Sequence, residues 1–483
     1  MRPRNAGMKI CAKSKSKILA ALCCLLLGSF AKAQKEVPLP KDLPPYGPEK
    51  QMQSPSVRST KLDNGLSLWL VSEPGFPKVA LTAVIRGGLA ADPATRPGIS
   101  ELLSKTIDQG TRTRNAKQIA QQFQSAGGDV NALATKDSIE ISTVVLSSKV
   151  EIAVAALADV LQNASFPDAE VTLAKRNVSD SLEQRESEPS FLASRARDRV
   201  LFADHPYHIT APTRDSIQSS TSADLRNIFM ERFRPDQAVF IAVGDFQNDK
   251  MIETVKAVLG SWKVPAISPI AAPPAPSIAL EHAIYLVPRP GSVQTTIELG
   301  TFGPKRSDPD FENAEVANAI YGGAFSSRLI TNIREDKGYT YSPRASLNSF
   351  QVAAEVVTHA DVRNEVTGPT LNEIEYELNR LATTSPTDEE LFKAKRFLLG
   401  LEALRSQDRG WLAQRLARLW VAGLPPDQIG IHGQKISAAT VADVNAAARK
   451  YFSAYRSAII VVGEEKVVTD AVTPLGFPIH TLP

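Results

Sequence analysis

Cysteine is nearly absent from this chain. Its 483 residues include three, Cys11, Cys23 and Cys24, all close to the N-terminus. The rest of the chain therefore has no thiol for a cysteine nucleophile, a Cys-ligated zinc site or a disulfide. Histidine is scarce too: of the six, only His205 and His208 are near neighbours, and His282, His359, His432 and His480 are scattered. No segment approaches the roughly 18 uninterrupted apolar residues that a membrane helix needs. There is no Gly-x-Ser-x-Gly elbow and no phosphate-cradling glycine loop, which leaves serine-hydrolase and nucleotide readings without support. Charge of one sign is also lacking. The formal net charge is +3, but residues 1–33 hold seven Lys or Arg and no acid. Without them 48 basic residues face 52 acidic ones, so no basic face is expected and no nucleic-acid partner.

What remains is globular in composition, 43% apolar and 22% charged. Residues 1–33 read as a signal peptide: a basic stretch through Lys17, an apolar stretch from Ile18 to Phe30, then Ala31-Lys32-Ala33. An uncleaved anchor is the alternative; after cleavage no membrane span is expected. The chain is thus expected to be exported, to the periplasm or the medium. Residues 34–55, rich in proline, read as a tether, and the run VPAISPIAAPPAP marks a linker over 264–279. That places one domain at 56–263, a second at 280–470 and a tail at 471–483.

The two domains repeat each other. LVSEPG ending at Gly75 matches LVPRPG ending at Gly291, and Asp92-Pro93 matches Asp308-Pro309. Ala174-Lys175-Arg176 matches Ala394-Lys395-Arg396, and Phe240–Gly244 matches Ile459–Gly463. The order is kept and the offset stays near 216–220, which argues for duplication. Within the first copy, β-rich runs at 66–71 and 79–86 precede helical spacing at 99–107 and 117–126, and strand composition returns over 131–145. In the second, Thr387 and Glu390 form a capping box that opens a long helix. The predicted fold class is α+β: two homologous domains, each a mainly antiparallel sheet covered by helices.

LDNGLSLWLV, GISELLSKTIDQGTRTR, GGDVNALATKD, HPYHITAPTRDSI and GGAFSSRLITNIREDKGYTYS resemble segments of the insulinase-like (pitrilysin) zinc metallopeptidases. The resemblance implies a clamshell half that pairs with another to enclose a chamber. Active members carry His-x-x-Glu-His on a helix, with both imidazoles on one face for zinc and the Glu polarising the attacking water. A further Glu ligand follows on a later helix. In this sequence the histidine positions fall on Glu101 and Lys105, the general base on Ser104, and the third ligand on Ser181, with Glu183 also close to that position. A protonated Lys105 would repel a dication, so no catalytic residue and no zinc or other cofactor is expected in this chain alone. Glu101 and Lys105 read instead as an i,i+4 ion pair. The family's His-Pro-Tyr precedes a helix, which assigns His205 and His208 to packing or hydrogen bonding.

Arg334 and Tyr341 match an Arg/Tyr pair that, in the family, reaches the zinc site to bind the substrate carbonyl and the oxyanion. Gly338 is expected to end a helix with positive φ, leaving Arg334 in its last turn and Tyr341 on the following strand. The segment Gly127–Asp137 resembles the family's substrate-binding edge strand. The resemblance therefore implies a non-catalytic subunit of a heteromeric zinc peptidase acting on peptides or unfolded segments. Its partner would be a homologous chain bearing His-x-x-Glu-His and holding the zinc. The alternative is a peptidase-derived scaffold or peptide-binding protein with no catalytic role.

Overall fold

A computed structural model describes residues 54–483. The expected leader at 1–33 and all but the end of the 34–55 tether lie outside the described residues. The first half forms a six-stranded sheet from β1 (Arg58–Lys61), β2 (Ser67–Ser72), β3 (Lys78–Arg86), β4 (Val130–Ala134), β5 (Ser138–Leu146) and β6 (Ala238–Gly244), in the order β1-β2-β6-β3-β5-β4. The second half builds its sheet from β7 (Ile284–Pro288), β8 (Gln294–Phe302), β9 (Arg344–Ser349), β10 (Ala354–Arg363), β11 (Ala458–Gly463) and β12 (Ile479–Thr481), ordered β12-β7-β11-β8-β10-β9. Five strands of each sheet correspond one to one, and most neighbours pair antiparallel; β2–β6 and β7–β11 are the matching parallel pairs. The fold is thus a duplicated α+β unit. Residues 262–283, which join the halves, contain no helix or strand. The expected tail contributes β12, which pairs with β7, so the second sheet extends to Thr481.

Both faces of each sheet are covered, which explains why β6 (AVFIAVG) and β11 (AIIVVG) are buried at every position. In β6, Ala238, Phe240 and Ala242 face the helices of their own half. Val239, Ile241 and Val243 face a helix from the other half, through its Leu412, Ala413 and Leu416. The sites below use five helices: α1 (Ile99–Ser104), α2 (Asp168–Glu186), α3 (Pro189–Phe202), α4 (Asp388–Arg405) and α5 (Arg409–Val421). Two of them cross over. The second half's α5 covers the first sheet, and the first half's α3 covers the second, where Ala193 and Ala196 meet Val287, Ile460 and Val462. The crossing helices are themselves copies: Leu192-Ala193 and Leu412-Ala413 stand 220 apart.

Ionic contacts lock the exchange. Arg86 of β3 donates to the carbonyls of Trp420 and Val421 at 2.8 and 3.2 Å and stacks on Trp420, placing a cation at the C-terminus of α5. Arg197 of α3 reaches Glu298 at 2.7 Å and Glu355 at 3.3 Å on the opposite sheet. No helix among the described residues is long and apolar enough to cross a membrane.

Candidate functional site

α1 stops at Ser104, earlier than the expected 107. Hydroxyls compete with the helix ladder here: Ser104 Oγ donates to the Glu101 carbonyl at 2.8 Å, and Thr106 Oγ1 to the Leu102 and Leu103 carbonyls at 2.8 and 3.1 Å. The N-terminus is set by Gly98 at φ +80°, where a Cβ would lie 2.2 Å from the Pro212 backbone. Leu102, Leu103 and Ser104 are buried while Lys105 reaches solvent, so α1 packs as a structural helix.

The Glu101–Lys105 pair does not form. Glu101 Oε1 instead meets Arg185 Nη2 at 2.8 Å, with the side chains 17% and 28% exposed. Arg185 stands one helical turn beyond Ser181 on α2, so i,i+4 geometry puts the guanidinium on the same face as the expected third-ligand position. Lys105 acts on Asp108, where its charge opposes the upward push of burial. The residues at these positions do not fit zinc. One carboxylate is present and its charge is met by a guanidinium; Ser104 has its hydroxyl tied to the backbone; Ser181 and Glu183 point to solvent on α2. Among the described residues, no three His, Cys, Asp or Glu side chains are grouped as metal ligands.

His205 and His208 serve the fold. His205 Nδ1 accepts from the Tyr207 N–H at 3.2 Å, and its Nε2 meets the Pro274 carbonyl at 2.8 Å, pinning the interdomain segment. Tyr207 is the residue of HPYH that the sequence reading missed. Fully buried, it donates to Asp137 at 2.5 Å and accepts from the Val352 N–H at 3.2 Å. Burial, then the Asp137 charge, raises the phenol above its ordinary pKa. Asp137 also accepts from the Gln351 N–H at 2.8 Å. HPYH and the end of GGDVNALATKD thus form a clasp between the halves.

Arg334 and Tyr341 are brought together. Backbone bonds five residues long, Ala324 N–H to Ala319 O at 3.1 Å and Lys337 N–H to Asn332 O at 3.0 Å, widen the helical turns on either side of Ser326–Leu329. Such π-type turns concentrate at functional sites. Gly322 packs so closely that a Cβ would sit 2.6 Å from Leu329 Cδ1. Arg334 lies in the last turn of the second segment, and Gly338 at φ +64° closes it. Tyr341 is not on a strand: β9 begins only at Arg344, and Tyr341 stands in the intervening loop with 80% of its surface exposed. The Arg334 guanidinium is stacked between two rings, 4.8 Å from Phe325 and 4.8 Å from Tyr341. Sequence reasoning passed over Phe325, which is 66% exposed. Among the described residues no carboxylate or carbonyl holds the Arg334 N–H groups. Two stacking faces fix the fork and leave its donor edge free.

A duplicated, helix-exchanged α+β chain with a metal-motif helix lacking its imidazoles defines a zinc-peptidase-like fold without the ligand set. Residues 69–211 match the family described as Insulinase (Peptidase family M16), and residues 219–398 match Peptidase M16 inactive domain. The chain belongs to this insulinase-like family. It is 27% identical over 406 residues to an uncharacterised zinc protease of Mycobacterium leprae, covering 83% of this chain and 91% of that one. It is 24% identical over 358 residues to a protein named non-peptidase homolog YmxG of Helicobacter pylori, covering 72% and 81%. Among solved structures it resembles a peptidase M16 inactive domain from Pseudomonas fluorescens, with TM-score 0.78, 25% identity and coverage of 85% and 98%.

Proposed function

We propose that this chain is the non-catalytic subunit of an exported, heteromeric zinc peptidase that cleaves peptides or unfolded segments. Its Arg334 and Tyr341 would serve the active site of a homologous partner carrying His-x-x-Glu-His and the zinc. The observation that carries this reading is the Arg334 fork, held by Phe325 and Tyr341 with its donors unspent at an exposed surface. A cation kept for structure alone would be expected to pair with a neighbouring carboxylate, as Arg185 does. Donors aimed at developing negative charge are a large source of rate in acyl-transfer chemistry.

Two measurements test it. Mass spectrometry of what co-purifies with the native protein should find a chain of similar size bearing His-x-x-Glu-His. In the reconstituted complex, Arg334→Ala or Tyr341→Phe should lower turnover roughly 10²–10³-fold with association intact. Lys337→Ala, which removes an ammonium 3.5 Å from Glu373 on a neighbouring helix, should change little. Near-normal turnover in both pair variants would leave the scaffold reading in possession.

A further inference from the structure

A cleft of about 780 Å³ opens between the two halves. Leu133 and Leu347, from β4 and β9, lie on its walls, and these are the edge strands of the two sheets. The C-terminal part of α4 and the start of α5 add apolar wall through Leu398, Leu401 and Trp411, beside Phe311, Phe350 and Ile436 from elsewhere in the second half. Domain interfaces with apolar walls and a few convergent polar groups are preferred ligand sites.

The charges around this cleft are not evenly satisfied. Each carboxylate already has a donor or a cation. Asp137 takes Tyr207 and the Gln351 N–H, and Glu140 accepts from Ser138 at 3.1 Å. Glu355 accepts from Asn348 at 3.0 Å and faces Arg197. Glu315 and Glu402 flank the buried His432 at 3.3 and 3.8 Å. Most of the cations are likewise matched: Lys136 holds Asp198 at 2.7 Å, Arg306 lies 3.6 Å from Glu312, and Arg415 lies 3.8 Å from Glu402. Arg405 and Arg418 are the exceptions. Both line the cleft and reach solvent, and among the described residues neither makes a side-chain hydrogen bond or ion pair. Desolvation by the walls, then repulsion from Arg415, lowers Arg418 below the ordinary arginine range; Glu140, without an ion pair to it, pulls the other way, and Arg405 adds to the repulsion. Two guanidiniums that line one cleft beside an apolar wall and repel each other are suited to a carboxylate on an apolar group.

We propose that this cleft binds a carboxylate-bearing peptide, with the carboxylate on Arg405 and Arg418 and an adjacent apolar side chain against Leu398, Leu401 and Trp411. The carboxylate can be a free C-terminus or an acidic side chain. The inference rests on the peptide-handling reading above but needs neither a partner nor zinc. Its failure would leave the Arg334 and Tyr341 experiment untouched.

The test is calorimetric titration of the full chain with three acetylated probes, with Trp411 fluorescence as a second readout. One is an Ala-Ala-Phe-Leu peptide with a free C-terminus, one its C-terminal amide, and one the amide with Asp in place of the second Ala. At least one carboxylate probe should bind roughly tenfold tighter than the plain amide, a preference that weakens with salt. Preference for the free acid alone assigns a C-terminus; preference for both assigns any carboxylate. Arg405→Gln with Arg418→Gln should abolish the difference while leaving amide affinity unchanged. Both residues reach solvent, and a thermal melt verifies the double variant's fold. Equal binding of all three probes, no binding of any, or a preference that survives in the double variant would each overturn the proposal.

Discussion

Leu416→Ala is the most direct probe of how this molecule holds together. Leu416 belongs to the second half by sequence, yet its fully buried side chain packs with Trp69, Val84 and Ile241 of the first sheet. The substitution removes three carbons from apolar surroundings, about 2.4 kcal/mol at ~0.8 kcal/mol per buried group. The cavity adds to this, because a sheet on one side and a helix on the other limit collapse; roughly 3–4 kcal/mol is expected. Unfolding entropy of about 2.1 cal/mol/K per residue makes the thermal shift modest for a unit of this size, roughly 1 °C per kcal/mol. Urea unfolding is therefore the better assay. Trp69 and Trp420 report on the crossing, Trp262 on the first core, and tyrosine near-UV dichroism gives weight to the second. Because each half lends a helix to the other, all signals should move together to lower urea. A loss below about 1 kcal/mol, or a first-half transition that shifts while the second stays in place, would refute the account of reciprocal exchange. The same reasoning predicts that a chain beginning at residue 280 will aggregate, since it would expose Leu412, Leu416 and Leu419.

Other outcomes follow from single contacts. Installing Glu101→His, Ser104→Glu, Lys105→His and Ser181→Glu should give poor zinc affinity while Arg185 remains, and at least a tenfold gain on Arg185→Leu, read by competition with a chromogenic chelator. Tight zinc binding with Arg185 in place would sink the argument that its guanidinium opposes the metal. Tyr207→Phe should cost about 1–3 kcal/mol by leaving the buried Asp137 Oδ1 without a donor while Oδ2 keeps the Gln351 N–H; an unchanged urea midpoint would remove the clasp from the fold's supports. Burial works against charge on His359, but hydrogen bonds to Asp361 and Glu298 raise its pKa, with Arg344 opposing. That contribution is complete below about pH 6.5 and is lost as pH rises through the folded value, so His359→Gln should flatten the decline in melting temperature above neutrality. At the acid end, burial is outweighed at Glu312 by hydrogen bonding from His432 and the charge of Arg306, which hold it at about 2. Its stabilisation should be present above its unfolded pKa and vanish as pH falls from about 4.5 toward 2, a slope missing in Glu312→Gln.

The sequence by itself determined the duplication and the strands at 66–71, 79–86 and, as one run that folds as two, 131–145, because these depend on patterns a few residues long: buried runs of Val, Ile and Ala, and the proline segment near 264–279; the capping box at Thr387 and Glu390 fixed a helix start in the same way. It also determined the absence of the zinc ligand set, since ligation needs particular side chains at i and i+4 and Glu101, Ser104 and Lys105 do not provide them. Only the tertiary structure decided what those positions do instead. Glu101 finds Arg185 from 84 residues away, and no local spacing rule could prefer that partner to Lys105. The same holds for Arg334, whose sequence spacing to Tyr341 was legible but whose second stacking ring, Phe325, arrives through a widened helical turn. It holds above all for the crossing helices α3 and α5. Their apolar faces are written plainly in the chain, but an amphipathic stripe specifies only that a partner must cover it. Which sheet does so is settled by the three-dimensional packing of two halves that each leave one face bare.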